Sequence, residues 1–287
     1  NGHINLQVNE WPLSKSVLEL VKLHHTELKI ETHLSGQVNA LQHDTHANMA
    51  LKLDLPLLGL SDQAITLQAQ LTPDTIDATG LWQQPQQRQA DLQLKLTDLA
   101  SQPKVMAHFK TESIELLKTP FADLNSATDI ALTWFDGATH IEGQTQLHHS
   151  DLNLDAMPLH ERTQTSDDEI IMDEQGQVVP KSTADSQLSY DVKIGFGDQV
   201  RLNIRDAQTF LGGELQLVKQ ADKPDMQAFG KVILREGYIN LDARNQVQID
   251  PSSFHFNGAI GNPGLDVNLF RVVDQTTARL NITGTAT

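Results

Sequence analysis

The sequence has no cysteine and very few aromatic residues. Its 287 residues include 3 Trp and 2 Tyr, and aromatic side chains make up 5% of the chain. Without cysteine the chain forms neither disulfide bonds nor thiolate metal or redox sites. No stretch approaches the roughly 18 consecutive apolar residues that a membrane-spanning helix requires, and no signal peptide opens the sequence.

The charge is strongly one-sided. The chain carries 37 Asp and Glu against 21 Lys and Arg, which gives a formal net charge of -16. Nucleic acid and anionic membrane surfaces would be repelled unless a local basic patch intervened, and the sequence contains no such patch. Because the chain starts at Asn1 inside a strand-like stretch and stops at Thr287 just after another, we expect it to be a fragment of a longer protein.

Motifs of enzyme chemistry are missing as well. The sequence has no Walker loop, nucleophile elbow or HExxH, and GFGDQV at Gly195 lacks the third glycine of a dinucleotide fingerprint. We therefore predict no enzyme activity, no catalytic residue and no cofactor. Adjacent histidines in a strand point to opposite faces, so neither His24-His25 nor His148-His149 binds one metal ion by itself. Asp167 to Glu169 lack the ligand spacing of a calcium loop, so no metal site is predicted.

What the sequence has in abundance is alternation of apolar and polar residues. In RLNIR, Leu202 and Ile204 face one way while their neighbours face the other, as in a pleated strand with one apolar side. The same unit recurs along most of the chain. Two stretches show helical spacing instead. One is residues 12–23, which begin with Pro12, and the other is SIELLK, which begins near Ser113 and must end by Pro120.

Turns and a break in the pattern organise the chain. Pro73-Asp74 and Asp136-Gly137 predict tight turns between successive strands. The alternation fails in an acidic, polar stretch that predicts a long surface loop. We divide the chain into an N-terminal sheet segment 1–154, a loop 155–189 and a C-terminal sheet segment 190–287, and favour one continuous sheet over two domains.

About seventeen to twenty amphipathic strands must hide their apolar faces with only one or two short helices to cover them. Two packed sheets, a closed barrel and one long curled sheet would each do so. Thin aliphatic side chains and short sequential connections favour the last. The prediction is an all-β fold: an elongated, curled, mostly antiparallel sheet with a hydrophobic groove along its apolar side.

The candidate groove residues are the apolar members of the alternating stretches. They are Met49, Leu51, Leu53, Leu55, Ile65, Leu67, Leu92, Leu94, Leu96, Ile130, Leu132, Leu202, Ile204, Leu215, Leu217, Val232, Leu234, Ile239, Leu241, Val267 and Leu269. For any one of them, ordinary core packing explains the pattern as well as ligand contact does. Only their repetition, with nothing left over to cover them, favours a conduit.

The C-terminal segment resembles the TamB family, the inner-membrane component of the translocation and assembly module, which is related to AsmA-like and bridge-like lipid transfer proteins. The resemblance lies in the strand-turn-strand unit VKIGFGDQVRLNI, the strand LGGELQLV, GKVILREGYINLDARNQVQID with a turn at Arg235 to Tyr238, and FNGAIGNPGLDVNLFR with Asn262-Pro263. The acidic stretch TSDDEIIMDE is similar to the segment that precedes this region in the family. The resemblance covers residues 151–287, whereas the N-terminal half is similar to the family only in its general alternating pattern.

The resemblance implies a taco-like β-sheet in the periplasm of a Gram-negative bacterium, within a protein anchored in the inner membrane. It implies a groove that carries the acyl chains of phospholipids between the two membranes, with phospholipid or detergent as the bound ligand. The implied partner of the full-length protein is a TamA-like outer-membrane barrel of the Omp85 type. A chaperone-like scaffold for outer-membrane protein or autotransporter assembly is the alternative, and a plain β-sandwich is a weaker third.

Overall fold

The computed structural model describes residues 2–8, 30–39, 44–55, 58–99, 101–156, 187–221, 223, 225–242 and 245–286. Sixteen strands account for nearly all of these residues: β1 Gly2–Val8, β2 Ile30–Asn39, β3 Asp44–Leu55, β4 Leu60–Leu71, β5 Ile76–Gln83, β6 Gln89–Thr97, β7 Lys104–Thr119, β8 Ala122–Phe135, β9 Ala138–Asn153, β10 Gln187–Ile204, β11 Ala207–Lys219, β12 Gln227–Asp242, β13 Asn245–Ile249, β14 Ser252–Ala259, β15 Gly264–Val273 and β16 Thr276–Thr285. Two short 3-10 helices, Pro85–Gln87 and Leu154–Ala156, complete the description.

All sixteen strands form one sheet. From β1 to β12 each strand pairs with the next in the sequence. Beyond β12 the order changes, because β12 pairs with both β13 and β14, and β15 then pairs with both of these and with β16. Every pair is antiparallel except β9 and β10. The predicted all-β, mostly antiparallel sheet is confirmed.

The parallel pair of β9 and β10 joins the two halves of the sheet. Strands β9 and β10 pair in parallel from Ala138 opposite Gln187 to Asn153 opposite Asn203. Parallel neighbours require a long connection that returns the chain to its starting end, and in the sequence residues 154–186 separate these two strands. The strands before and after the predicted acidic loop therefore belong to the same sheet.

A line of register shifts crosses the sheet from β6 to β14, and we call this line the crease. It passes through residues 111–113 of β7, 148–149 of β9, 197–199 of β10 and 235–236 of β12, and it ends at 250–251 between β13 and β14. Extra residues in one strand of a pair bend the strand and increase its local twist. Because the shifts lie side by side in consecutive strands, they bend the sheet from β6 to β14 along one line.

The crease is where the sheet buries apolar side chains. A single flat sheet would leave both faces exposed, yet Ile114 and Val200, beside the crease, are completely buried. The main buried cluster joins residues from both sides of the crease, including Val232 and Ile249. The predicted curled shape is confirmed, and the buried core lies at the bottom of the curl.

One predicted helix is wrong. SIELLK is part of β7, which pairs with β8 along its whole length. Two register shifts in this stretch place Ile114 opposite Ser126 and Leu117 opposite Leu124, on the same face. The extra residues thus give a strand the three-residue apolar spacing that is typical of a helix. The other predicted helix, 12–23, lies outside the described residues.

Two predicted turns are also wrong. The stretch from Arg235 to Tyr238 lies inside β12, and VKIGFGDQVRLNI is a continuous part of β10. Both stretches contain a bulge of the crease, with Gln199 in a left-handed conformation. Glycine and polar residues suit a bulge as well as a turn, so local composition does not separate the two. The tight turns predicted at Pro73-Asp74 and Asp136-Gly137 are confirmed.

Candidate functional site

The register of the strands defines one continuous apolar face. Residues directly opposite each other in neighbouring strands lie on the same side of a sheet. One such row runs through Met49, Leu67, Gly80, Leu92, Phe109, Ile130, Gly143, Val192, Leu217 and Ala228. We call the side that carries this row the inner face and the opposite side the outer face.

The candidate groove residues predicted from the sequence belong to eight strands, and the register assembles them. On β3, β4, β6, β8, β10, β11, β12 and β15 they occupy inner-face positions, with two members beside register shifts, Leu55 opposite Leu60 and Leu241 near the end of β12. Their shared side follows from the pairing of the backbone. Contact of these residues with a lipid stays a prediction.

Burial divides the candidates into groups. Val232 and Leu234 are buried, whereas Ile204 and Leu241 are 38% and 66% exposed. Most of the others are partly buried: Ile65, Leu67, Leu92, Leu94, Leu96, Ile130, Leu132, Leu202, Leu215, Leu217, Ile239, Val267 and Leu269. Side chains of a sealed two-layer core would be buried throughout. An apolar surface that remains open along much of its length fits these values better.

The inner face is almost free of charge. Among the described positions of β4 to β16 that pair across strands, the inner face carries three ionisable side chains, Tyr190, Lys219 and Arg271, and no carboxylate. In a chain with 37 acidic residues, this segregation is strong. The face can therefore solvate hydrocarbon without a buried acidic group.

Hydroxyl groups make one short stretch of the inner face polar. Ser126 and Thr128 are buried beside the crease, and their side-chain oxygens are 2.8 Å apart. The hydroxyl of Thr128 also lies 2.8 Å from that of Thr145. These groups satisfy one another, so they can be buried at little cost. No local signal in the sequence showed that the three hydroxyls meet.

The outer face holds a network of charged and amide groups. Two open concavities of about 420 and 400 Å³ lie over β7 to β11, and Asp129 and Lys193 line both. Asp129 accepts a hydrogen bond from His108 at 2.7 Å and pairs with Lys110 at 3.3 Å. The hydrogen bond from His108, followed by the interactions with Lys110, lowers the pKa of Asp129.

The histidine doublet in β9 departs from its prediction. His149 has a positive φ of 45° in the bulge, and its ring centroid lies 5.9 Å from that of His148. Consecutive side chains point to opposite faces only in a regular strand, so the bulge brings these two rings together. Within the part of the chain that the structure describes, no three His, Asp or Glu residues are grouped as metal ligands.

Several core residues were not predicted from the sequence. Leu147, Val200 and Leu211 belong to the main buried cluster, and Phe254 and Phe256 pack against it. Their alternation was visible in the sequence, but the bulges beside them interrupt its period. Because a bulge depends on two paired strands, the isolated stretches did not reveal the cluster.

No helix in the described residues is long and apolar enough to cross a membrane. No curated protein matches the chain. The family model of the TamB C-terminal domain matches residues 40–287, which include fourteen of the sixteen strands and the whole of the crease. The chain therefore belongs to the TamB family of bacterial envelope proteins, whose role lies in outer-membrane protein assembly or lipid transport.

Proposed function

We propose that this chain is part of a periplasmic conduit, in which the acyl chains of phospholipids travel along the inner face of the sheet between the inner and outer membranes. One observation carries the proposal: from β4 to β16 most inner-face positions are apolar, and the face remains partly open along much of its length. Exposed apolar surface of this extent in a soluble protein usually marks a binding site.

The physical basis is the transfer of methylene groups out of water. Each methylene buried against the inner face contributes about 0.8 kcal/mol. Aliphatic side chains recur in successive strands about 4.8 Å apart, so neighbouring positions of an acyl chain are nearly equal in energy. A hydrocarbon chain can slide along such a surface, while the polar headgroup stays in water at the ends of the strands.

A charge on the inner face should block lipid binding. Leu94 lies on the inner face of β6, opposite Ala78 and Ala107, and is partly buried. We expect Leu94→Asp to reduce co-purified phospholipid roughly tenfold or more, because the carboxylate would have to be desolvated against each passing acyl chain. Lipid extraction followed by mass spectrometry measures the bound lipid.

The neighbouring residue supplies a matched control. Gln93 is exposed on the outer face of the same strand, so Gln93→Asp adds the same charge on the opposite side. We expect it to leave bound lipid unchanged, and circular dichroism should show both variants to be folded. Absence of phospholipid and detergent from the unmodified chain would contradict the conduit. Leu215 is a less suitable test site, because it packs against the buried cluster.

A scaffold for barrel assembly is the second candidate, and the last strand favours it. Strand β16 pairs only with β15 among the described strands, and every described residue of it is exposed, including Leu280 at 56% and Ile282 at 44%. An open edge of this kind can accept an extended segment of another chain as an additional strand. Photo-crosslinkers at Leu94 and at Leu280 would separate the candidates, because a conduit captures lipid at Leu94 and a scaffold captures polypeptide at Leu280.

The setting of the full-length protein is part of the same proposal. We place this chain in the periplasm of a Gram-negative bacterium, within a protein anchored in the inner membrane and working with a TamA-like outer-membrane barrel. Family membership supports an envelope location and a link to the outer-membrane assembly machinery. Fractionation of cells and co-purification with the barrel test the rest.

A further inference from the structure

Two of the three ionisable side chains at the described, paired inner-face positions of β4 to β16 lie directly opposite each other. Tyr190 of β10 pairs with Lys219, the last residue of β11, in the row next to Val192 and Leu217. Directly opposed residues in antiparallel strands have Cβ atoms about 5 Å apart. The Lys219 ammonium and the Tyr190 hydroxyl can therefore reach one common group at the rim of the apolar surface.

Neither side chain has a polar partner of its own within the described part of the chain. Lysines on the outer face such as Lys95 and Lys110 pair with carboxylates, but the paired inner-face positions of β4 to β16 offer no carboxylate to Lys219. Both Tyr190 and Lys219 are partly buried. A partly desolvated ammonium without a counter-charge is stabilised by any anion that reaches it.

The surroundings select the kind of anion. A lysine stem and a tyrosine ring both lie on apolar surface while their polar ends stay in water. The ammonium offers three hydrogen-bond donors and the phenol one, which suits the several oxygens of a phosphate. The row beside them, Val192 and Leu217, is apolar, so a ligand here would combine a phosphate with hydrocarbon.

We propose that Lys219 and Tyr190 bind the phosphate ester of a glycerolipid whose acyl chains lie on the inner face. This inference rests on the proposed conduit and adds the group that it recognises. The site gives the groove a preference for phosphate-bearing lipids over uncharged diacylglycerol. Arg271, the third ionisable residue, lies opposite Ala278 and lacks such a second donor.

The test compares two lipids that differ only in the headgroup. The 287-residue chain is incubated with detergent micelles that contain either dioleoylphosphatidylglycerol or dioleoylglycerol, and native mass spectrometry measures the bound lipid. We expect Lys219→Gln to weaken binding of phosphatidylglycerol about three- to tenfold, the range for a partly exposed charge-assisted contact. Binding of diacylglycerol should stay the same.

Three further variants sharpen the comparison. Lys219→Arg keeps the charge and should retain binding, and Tyr190→Phe should lower phosphatidylglycerol binding by a smaller factor. Lys193→Gln removes a lysine from the outer face of β10 and should change neither lipid. Equal phosphatidylglycerol binding by Lys219→Gln and the unmodified chain would overturn the site and leave the conduit standing.

The remaining outcomes are equally decisive. If Lys219→Gln lowers both lipids alike, Lys219 acts on the acyl-binding surface and the phosphate site is wrong. If the unmodified chain binds neither lipid, the conduit fails and the phosphate site with it. Phosphorus NMR with inorganic phosphate tests whether the site binds a free anion. If Lys219→Gln weakens binding of inorganic phosphate but not of phosphatidylglycerol, the site binds free phosphate and the proposed lipid site is wrong.

Discussion

Asp129 illustrates how a cross-strand neighbour sets the chemistry of a residue. It lies directly opposite Lys110 and two residues along β8 from Ala131, the partner of His108, and it contacts the side chains of both Lys110 and His108. The hydrogen bond from His108 is the main reason why the pKa of Asp129 lies below its ordinary value of 3.8. A lowered pKa means that the folded state favours the carboxylate.

The stability of the chain should therefore depend on Asp129 at neutral pH and not in acid. The carboxylate stabilises the fold at pH values above about 4, and this contribution disappears as the pH falls through the lowered pKa. We expect Asp129→Asn to lower the melting temperature by a degree or so at pH 7, since exposed ion pairs contribute little. At pH 3 the difference should shrink.

Thermal unfolding followed by circular dichroism between pH 7 and pH 3 measures this effect. Asp225 is exposed and has no ion pair among the described residues, so Asp225→Asn serves as the control and should follow the unmodified chain. A difference between Asp129→Asn and the unmodified chain that stays constant over this range would rule out the carboxylate as its source.

At the scale of the element, turns and strands make different demands on glycine. Gly137 closes the tight turn between β8 and β9 with φ of 76°, and an added Cβ there would meet open space. Gly230 lies inside β12 with φ of 122°, and an added Cβ would overlap the carbonyl oxygen of Glu214 in β11. Both positions have a backbone that L-residues rarely adopt, but only the second is also sterically closed.

This difference predicts two unequal substitutions. Gly137→Ala should cost about 1 kcal/mol in the free energy of unfolding, the penalty of a left-handed backbone alone. Gly230→Ala should cost clearly more, about 3 kcal/mol or above, because β11 and β12 would have to separate. Urea unfolding measures the free energy of unfolding of both variants. Similar decreases in both would show that β11 and β12 can separate enough to accommodate the added Cβ at little cost.

For the whole molecule, the decisive property is that one sheet curls on itself, with no second layer among the residues that the structure describes. Fifteen successive levels of strands, with β13 and β14 sharing one level, extend about 70 Å at 4.8 Å per step. A groove along this length joins distant points, as transport between membranes requires. The TamB family is not known as a family of enzymes, which agrees with a role based on surface rather than on reactive groups.

Small-angle X-ray scattering tests the extended shape. A compact chain of 287 residues has a radius of gyration of about 19 Å. We expect a clearly larger value, about 23 Å or more, and a maximum dimension of at least about 70 Å for a row of strands of this length. A radius near 19 Å would indicate a closed sandwich and would remove the continuous groove.

The alternation in the sequence was sufficient to place most strands and their apolar sides. Leu92, Leu94 and Leu96 lie on the inner face of β6 because the pleat alone fixes a period of two. The turn at Asp136-Gly137 was predictable for the same reason, since its residues suit a left-handed backbone by themselves. The division of the chain into segments 1–154, 155–189 and 190–287 stays a prediction.

Only the tertiary structure decided how these strands combine. Bulges of the crease explain three departures from the predictions: the helical spacing around Ile114, the apparent turn at Arg235 and the proximity of the rings of His148 and His149. A bulge exists only as a mismatch between two paired strands, so a single stretch of sequence cannot specify it. The pleat is local and was therefore readable, whereas the curl that forms the groove arises from pairings between residues far apart in the chain.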